Sequence, residues 1–195
     1  MAIKFQYNKT SLQGIEKQLK MRLRALPTIK NKESALRMEV KRAKDEAAEL
    51  KRKLELQIGA YDKMAALWNE FEPSLIMVQD VRLSVSKLAG IRVPSLDEVA
   101  FATRPFSMFN SPKWYPDGIR LLQTLAQIGI EYEFCLMKIS RLEYARKKTT
   151  QKVNLFEKVQ IPGFEDAIRK IKRFMEDEEN LSKSSQKIMK SKQSA

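Results

Sequence analysis

Few residues in this chain are equipped for bond-breaking chemistry. Histidine is absent from all 195 positions, and cysteine occurs once, at Cys135. Without histidine the chain lacks the usual zinc ligand, the His-based triads and the commonest general base. Cys135 falls on an apolar stripe, which reads as a buried structural thiol rather than a nucleophile. A lone cysteine forms no internal disulfide and fits a reducing compartment. The densest acidic run is Glu176-Asp177-Glu178-Glu179. Adjacent residues on a helix do not point one way, so this run reads as a solvated face and not a cation site. No glycine-rich loop is present to cradle a phosphate. Neither an aromatic RNA-binding strand nor a zinc finger is found. The sequence thus assigns no catalytic residue, no cofactor-binding residue and no metal ligand, and a non-enzyme with no cofactor is expected.

The charge points to partners instead. Lysine and arginine outnumber aspartate and glutamate by 37 to 24, a net charge of +13. Such a balance implies an acidic protein, a nucleic acid or an anionic surface as partner, or the solvated exterior of a charged coiled coil. Charged residues make up 31% and aromatics 8%, with six glycines and seven prolines. This composition suits long helices better than a sandwich or barrel. No window approaches 18 uncharged apolar residues, so no membrane span is expected. The start, Met1 to Tyr7, lacks the long apolar run of a signal peptide.

The element that organises the chain is the stretch from Leu12 to Trp68. Alternating steps of three and four meet Ile15, Leu19, Leu26, Ile29, Leu36, Val40, Ala43, Ala47, Leu50, Leu54, Tyr61, Met64 and Trp68. Only Arg22, Glu33 and Gln57 interrupt this stripe. A spacing near 3.5 keeps one seam toward a partner helix, which is the coiled-coil condition. A helix over this span would be roughly 85 Å long and could not bury its own stripe. Thr10 or Ser11 is the expected cap, and Pro27 predicts a kink, since the stepping continues in phase beyond it.

Five of the seven prolines lie between Asn69 and Asp117, which marks a segment of different character. Val81, Leu83 and Val85 alternate with Arg82, Ser84 and Ser86, predicting a strand with one apolar face. Ile91-Arg92-Val93 extends it past a bulge at Ala89-Gly90. Pro94 to Asp97 reads as the turn of a β-hairpin, and Val99 to Thr103 as the return strand. Met108, Phe109, Trp114 and Tyr115 are expected to fill core beneath the hairpin.

From Gly118 the helical stepping resumes at Leu121, Leu125, Ile128, Tyr132, Cys135, Ile139 and Leu142, passes through Arg146 and Thr149, and continues at Val153 and Phe156. Pro162-Gly163 is expected to break it. A last stripe runs from Ala167 through Ile171 to Ile188, and the Ser/Lys-rich end from Ser182 is expected to fray. The fold class expected is mainly α: a long antiparallel two-helix coiled coil with a small central β-hairpin and short-helix insert. The divisions expected are an N-terminal arm (1–68), a central insert (69–117) and a C-terminal arm with a basic tail (118–195). If the chain folds back near Pro94, Pro27 lies opposite a point near Pro162, so two kinks share one level. A parallel homodimer satisfies the heptads but leaves this match unexplained. A basic coiled coil that binds nucleic acid, or a scaffold docking through residues 69–117, are the other readings of the same features.

The stretch Thr149-Thr150-Gln151-Lys152-Val153-Asn154-Leu155-Phe156-Glu157-Lys158-Val159-Gln160-Ile161-Pro162 resembles the signature of the D subunit of V-type and archaeal-type rotary ATPases: a basic pair, Val-Asn-x-x-Glu, then an Ile-Pro step. Lys30-Asn31-Lys32-Glu33-Ser34-Ala35-Leu36 resembles that family's Lys-x-Lys-x-x-x-Leu step, and Gly90-Ile91-Arg92-Val93-Pro94 its hairpin segment. The chain departs from the pattern at Gln151-Lys152, where two arginines are usual, at Thr28-Ile29, where two leucines are, and at Phe156, where a small residue is common. The resemblance implies a non-catalytic central rotor shaft that couples ATP hydrolysis or synthesis to H+ or Na+ translocation. It implies that both termini enter the catalytic hexamer of A- and B-type subunits. The central hairpin would carry a small F subunit, and the base would seat on a funnel-shaped subunit above the membrane ring. It implies no nucleic-acid partner, no direct membrane insertion, and a place at the cytoplasmic face of the membrane within the ATPase complex.

Overall fold

The structure is a computed structural model that describes residues 3–61 and 67–193. Helix α1 spans Lys9–Ala60, strand β1 Ile76–Leu88 and strand β2 Ile91–Thr103; α2 spans Tyr115–Asn154 and α3 Ile161–Gln193. A single 3-10 turn, Pro73–Leu75, leads into β1. A π-helical segment, Leu155–Gln160, connects α2 to α3 without a loop. The protein is mainly helical, with long helices and a small antiparallel hairpin inserted between them, as the periodicity predicts. Met64, on the predicted stripe, lies outside the described residues.

The chain forms two compact units: Met1–Glu33 with Lys148–Ala195, and Ser34–Lys147. In the first, α1 runs antiparallel to the returning chain. Glu16 pairs with Lys172 at 3.1 Å and Lys30 with Glu157 at 2.8 Å. Ile15, Phe164, Ala167 and Ile171 form its buried core, flanked by Leu12, Leu19 and Ile168. The cap of α1 is Asn8, whose Oδ1 accepts the Ser11 N–H at 2.7 Å. Asn8 sits three residues before the donor, the spacing an N-cap needs, which places the cap earlier than Thr10 or Ser11.

Pro27 lies inside α1, which continues through it. The expected break at Pro162 takes another form. The Ile161 N–H donates to the Phe156 carbonyl, an i→i−5 bond, and the helix resumes at once as α3. Proline at 162 has no N–H to give the Lys158 carbonyl, so the regular ladder could not pass this point unchanged. The wider turn carries the chain through without a loop. The expected fraying from Ser182 is also corrected: residues 182–193 are helical and exposed. Lysine, glutamine and methionine are good helix formers, and Lys183 pairs with Glu179 one turn back at 2.7 Å.

In the second unit, the rest of α1 runs antiparallel to α2, with Lys44 on Glu143 at 2.6 Å and Lys138 on Glu46 at 3.0 Å. The hairpin lies along this pair. Val93 is fully buried with Leu36, Val40, Ala43 and Leu142, and Leu88, Ala89 and Ile91 pack beside them. A second core joins Phe71, Leu75, Tyr115 and Ile119 with Trp68, Phe106 and Trp114. Of the four residues expected beneath the hairpin, Trp114 and Tyr115 belong to this core, whereas Met108 and Phe109 are exposed.

The turn of the hairpin is Ala89-Gly90, not Pro94–Asp97. Leu88 pairs with Ile91, and both turn residues have positive φ, 47° and 77°. That is the two-residue geometry that matches strand twist, and glycine suits its second position. Pro94 instead pairs with Val85 inside β2. Counting from the turn, that pair is a non-hydrogen-bonded one, so the missing proline N–H costs no ladder bond. Two register shifts leave Gln79 on β1 and Asp97 on β2 without opposite residues, and the second restores the register that the first displaces. The predicted apolar face also turns outward at its end: Leu83 and Val85 are exposed, while Ser84, Ser86 and Leu88 share the inner side with Val93.

Candidate functional site

Cys135 and the acidic run, the two features singled out for possible chemistry, both have structural roles. Cys135 is buried, and its Sγ donates to the Ala43 carbonyl at 3.2 Å. Burial pushes its thiol pKa up, and the nearby Glu46 carboxylate pushes the same way. A thiol held protonated is a poor nucleophile. Glu176 to Glu179 are exposed along α3, and Glu179 is occupied by Lys183, whose hydrogen bond holds its carboxyl below the ordinary range. Among the described residues, no group of three His, Cys, Asp or Glu side chains is placed to hold a metal ion.

Two of the three segments that carry the sequence resemblance meet in space. Lys30, which opens the Lys-x-Lys step, pairs with Glu157 of the Val-Asn-x-x-Glu step. Eight residues before Lys30, Arg22 donates from Nε to Gln160 Oε1 at 2.7 Å and lays its guanidinium 4.5 Å from the Phe164 ring centroid. Thr150 Oγ1 donates to Glu33 Oε1 at 3.2 Å. Arg22 and Glu33, two of the three breaks in the first apolar stripe, are therefore polar layers matched by polar residues opposite. Gly90 and Val93, from the third segment, form the hairpin turn and its buried anchor.

What remains open are surfaces. On the second unit, Val78, Val81 and Leu83 join Ala126, Gly129, Ile130 and Phe134 around an apolar groove of about 530 Å³. A second groove, about 380 Å³, lies among Trp68, Phe71, Ile76, Met77, Phe101 and Leu122. Nearby in sequence, Phe109 is fully exposed. On the first unit, Leu181, Ile188 and Met189 present an apolar stripe along the last turns of α3, among exposed Lys183 and Lys187. Of the basic residues near the two chain ends, Arg22, Lys30 and Lys183 are engaged within the chain. Lys17, Lys20, Arg24, Lys32 and Lys187 are exposed. No described helix is long and apolar enough to cross a membrane. Outward-facing apolar and basic patches are features that periodicity hints at and only the fold locates.

Long paired helices, a buried thiol and exposed apolar patches characterise the described residues. The family model of the ATP synthase D subunit matches residues 11–191, and the chain belongs to that family. It is similar to the V-type ATP synthase D subunit of Borreliella burgdorferi, at 30% identity over 192 residues, covering 96% of this chain and 94% of the relative. The V-type ATP synthase D subunits of Chlamydia pneumoniae and Chlamydia muridarum are 27% and 26% identical, each over 91% of this chain and 87% and 90% of their own lengths. Proteins of this family are non-catalytic.

Proposed function

We propose that this chain is the central rotor shaft of a V-type rotary ATPase, transmitting torque between nucleotide chemistry in a catalytic hexamer and H+ or Na+ movement through a membrane ring. The observation that carries this reading is the family match, which runs through both helical arms and the hairpin insert together. The physics suits the task. A shaft works by presenting a different surface to each of several equivalent catalytic sites as it turns, biasing each site between states through differential contact. Such coupling needs stiff helices and an asymmetric exterior, and no bond-breaking group of its own.

In this reading the arms at 1–68 and 118–195 form the shaft and the insert at 69–117 serves as its docking collar. Both chain ends enter the hexamer of A- and B-type subunits. The exposed basic side chains there glide along acidic loops, since charge contacts are long-ranged and geometrically undemanding. The outward face of the hairpin carries a small F subunit, and the end bearing Trp68 and Phe109 seats on a funnel-shaped subunit above the ring. The complex works at the cytoplasmic face of the membrane, with no nucleic acid and no insertion of this chain into lipid. Truncating residues 182–195 tests the reading. ATP-driven ion movement should fall while nucleotide hydrolysis continues. Full coupling after removal of both terminal arms would refute it.

A further inference from the structure

In the first unit both helices of the pair are irregular at one level. Pro27 removes a backbone donor from α1. Opposite it, between the contacts Arg22–Gln160 and Lys30–Glu157, the returning chain is π-helical from Leu155 to Gln160. Pro162 accounts for the π turn, and the apolar spacing accommodates it. Val153 and Phe156 are three apart, as are Ile161 and Phe164, but Phe156 and Ile161 are separated by five. Five residues of regular helix make about 1.4 turns, which would rotate Ile161 off the seam. The wider turn brings it back toward the partner.

The apolar seam here is also less buried than the core beside it, although Ile161 at its edge is buried. Leu26, Ile29, Val153 and Phe156 are only half-buried, whereas Ile15, Phe164, Ala167 and Ile171 on the same pair are buried. The seam is instead bridged by long side chains: Arg22 to Gln160, Lys30 to Glu157 and Thr150 to Glu33. Charge-assisted contacts between flexible side chains tolerate changes of angle that interdigitated apolar side chains do not.

We propose that residues 22–33 and 150–162 form a compliant joint, where both helices open most readily and where twist is taken up while the polar bridges keep the pair together. Its mechanical use rests on the shaft reading; its existence does not. A lightly packed segment with weakened backbone hydrogen bonding opens locally at lower free energy than its surroundings.

Amide exchange on the isolated full chain tests the joint without reference to any machine. Amides at 23–30 and 155–161 should exchange about tenfold or more faster than those at 14–19 and 166–172. The paired substitution Pro27→Ala and Pro162→Ala, which returns both donors, should slow that exchange without loss of helix by circular dichroism. Uniform protection across the unit in the parent chain would overturn the joint, as would unchanged exchange in the variant. The mechanical role is read in the assembled rotary complex, from the angular fluctuation of a probe on a stalled shaft. The variant should narrow it, and an unchanged width would overturn the role in twist. Failure of the chain to enter any rotary complex would reject the shaft reading and leave the exchange result standing.

Discussion

Replacing Leu142 with alanine should destabilise the second unit by about 3 kcal/mol. Leu142 is fully buried and packs with Leu36, Val40, Ala43 and Val93. The change removes three carbons, and about 0.8 kcal/mol per buried methylene gives about 2.4 kcal/mol for transfer alone. The cavity adds to this, since Val93 comes from a hairpin strand and Leu36, Val40 and Ala43 from α1, so the site collapses only in part. Urea unfolding followed by tryptophan fluorescence reads this unit cleanly, because the chain's two tryptophans, Trp68 and Trp114, both lie in it. Leu181→Ala, on an exposed stretch of α3, is the control and should shift stability by less than about 0.5 kcal/mol. Val93→Ala should cost about 1–2 kcal/mol, and combining it with Leu142→Ala should depart from additivity by at least about 0.5 kcal/mol, as residues in contact do. A Leu142→Ala cost below about 1 kcal/mol, or strict additivity with Val93→Ala, would refute the packing of the hairpin on the helices.

Gly118→Ala should destabilise the same unit by about 1–3 kcal/mol in the same assay, because the added carbon would lie 2.7 Å from the Trp114 ring and 3.5 Å from Trp68. Cys135 should resist alkylation at pH 8 in the native chain and react rapidly once urea unfolds it, as mass spectrometry would record; burial raises its pKa, so the protonated thiol favours the folded state until the pH rises past the range of an ordinary free thiol. Glu143 titrates low, chiefly through the hydrogen bond from Lys44. A depressed carboxyl stabilises the fold above its unfolded pKa and loses that contribution as the pH falls through its folded value. The Lys44→Met variant should therefore lose about 0.5 kcal/mol or less at pH 7 and little at pH 3, given how exposed the pair is.

Much of the fold was legible because one period governs most of the chain. The stripe from Leu12 to Trp68 required a partner helix, and the resumption after Gly118 supplied one. The match between Pro27 and the neighbourhood of Pro162 was read from a fold-back near Pro94; the turn lies at Ala89-Gly90 instead, and the contacts Arg22–Gln160 and Lys30–Glu157 are what set the level. The hairpin was legible in kind and misplaced in detail. Pro94 to Asp97 has the composition of a turn, yet Ala89-Gly90 turns the chain, since backbone handedness decides there and an alanine at positive φ leaves little trace in composition. The alternation of Val81, Leu83 and Val85 marked a strand with one apolar face, but it did not show that Leu83 and Val85 are exposed while Val93 is buried from the other side. The π turn was hidden for a similar reason: a five-residue apolar step looks like an interruption until the geometry shows it accommodated. The exposed apolar surfaces were the least legible part. An exposed leucine on a helix and a buried one look alike in sequence, and only the paired helices separate Leu181 from Leu142.

The most direct test of the shaft reading is native mass spectrometry of the complex that copurifies with this chain after gentle extraction from its own cells. A single copy with three A-type and three B-type nucleotide-binding subunits and one small F-type subunit is the predicted result. A homodimer, or recovery of the chain with nucleic acid, would contradict it.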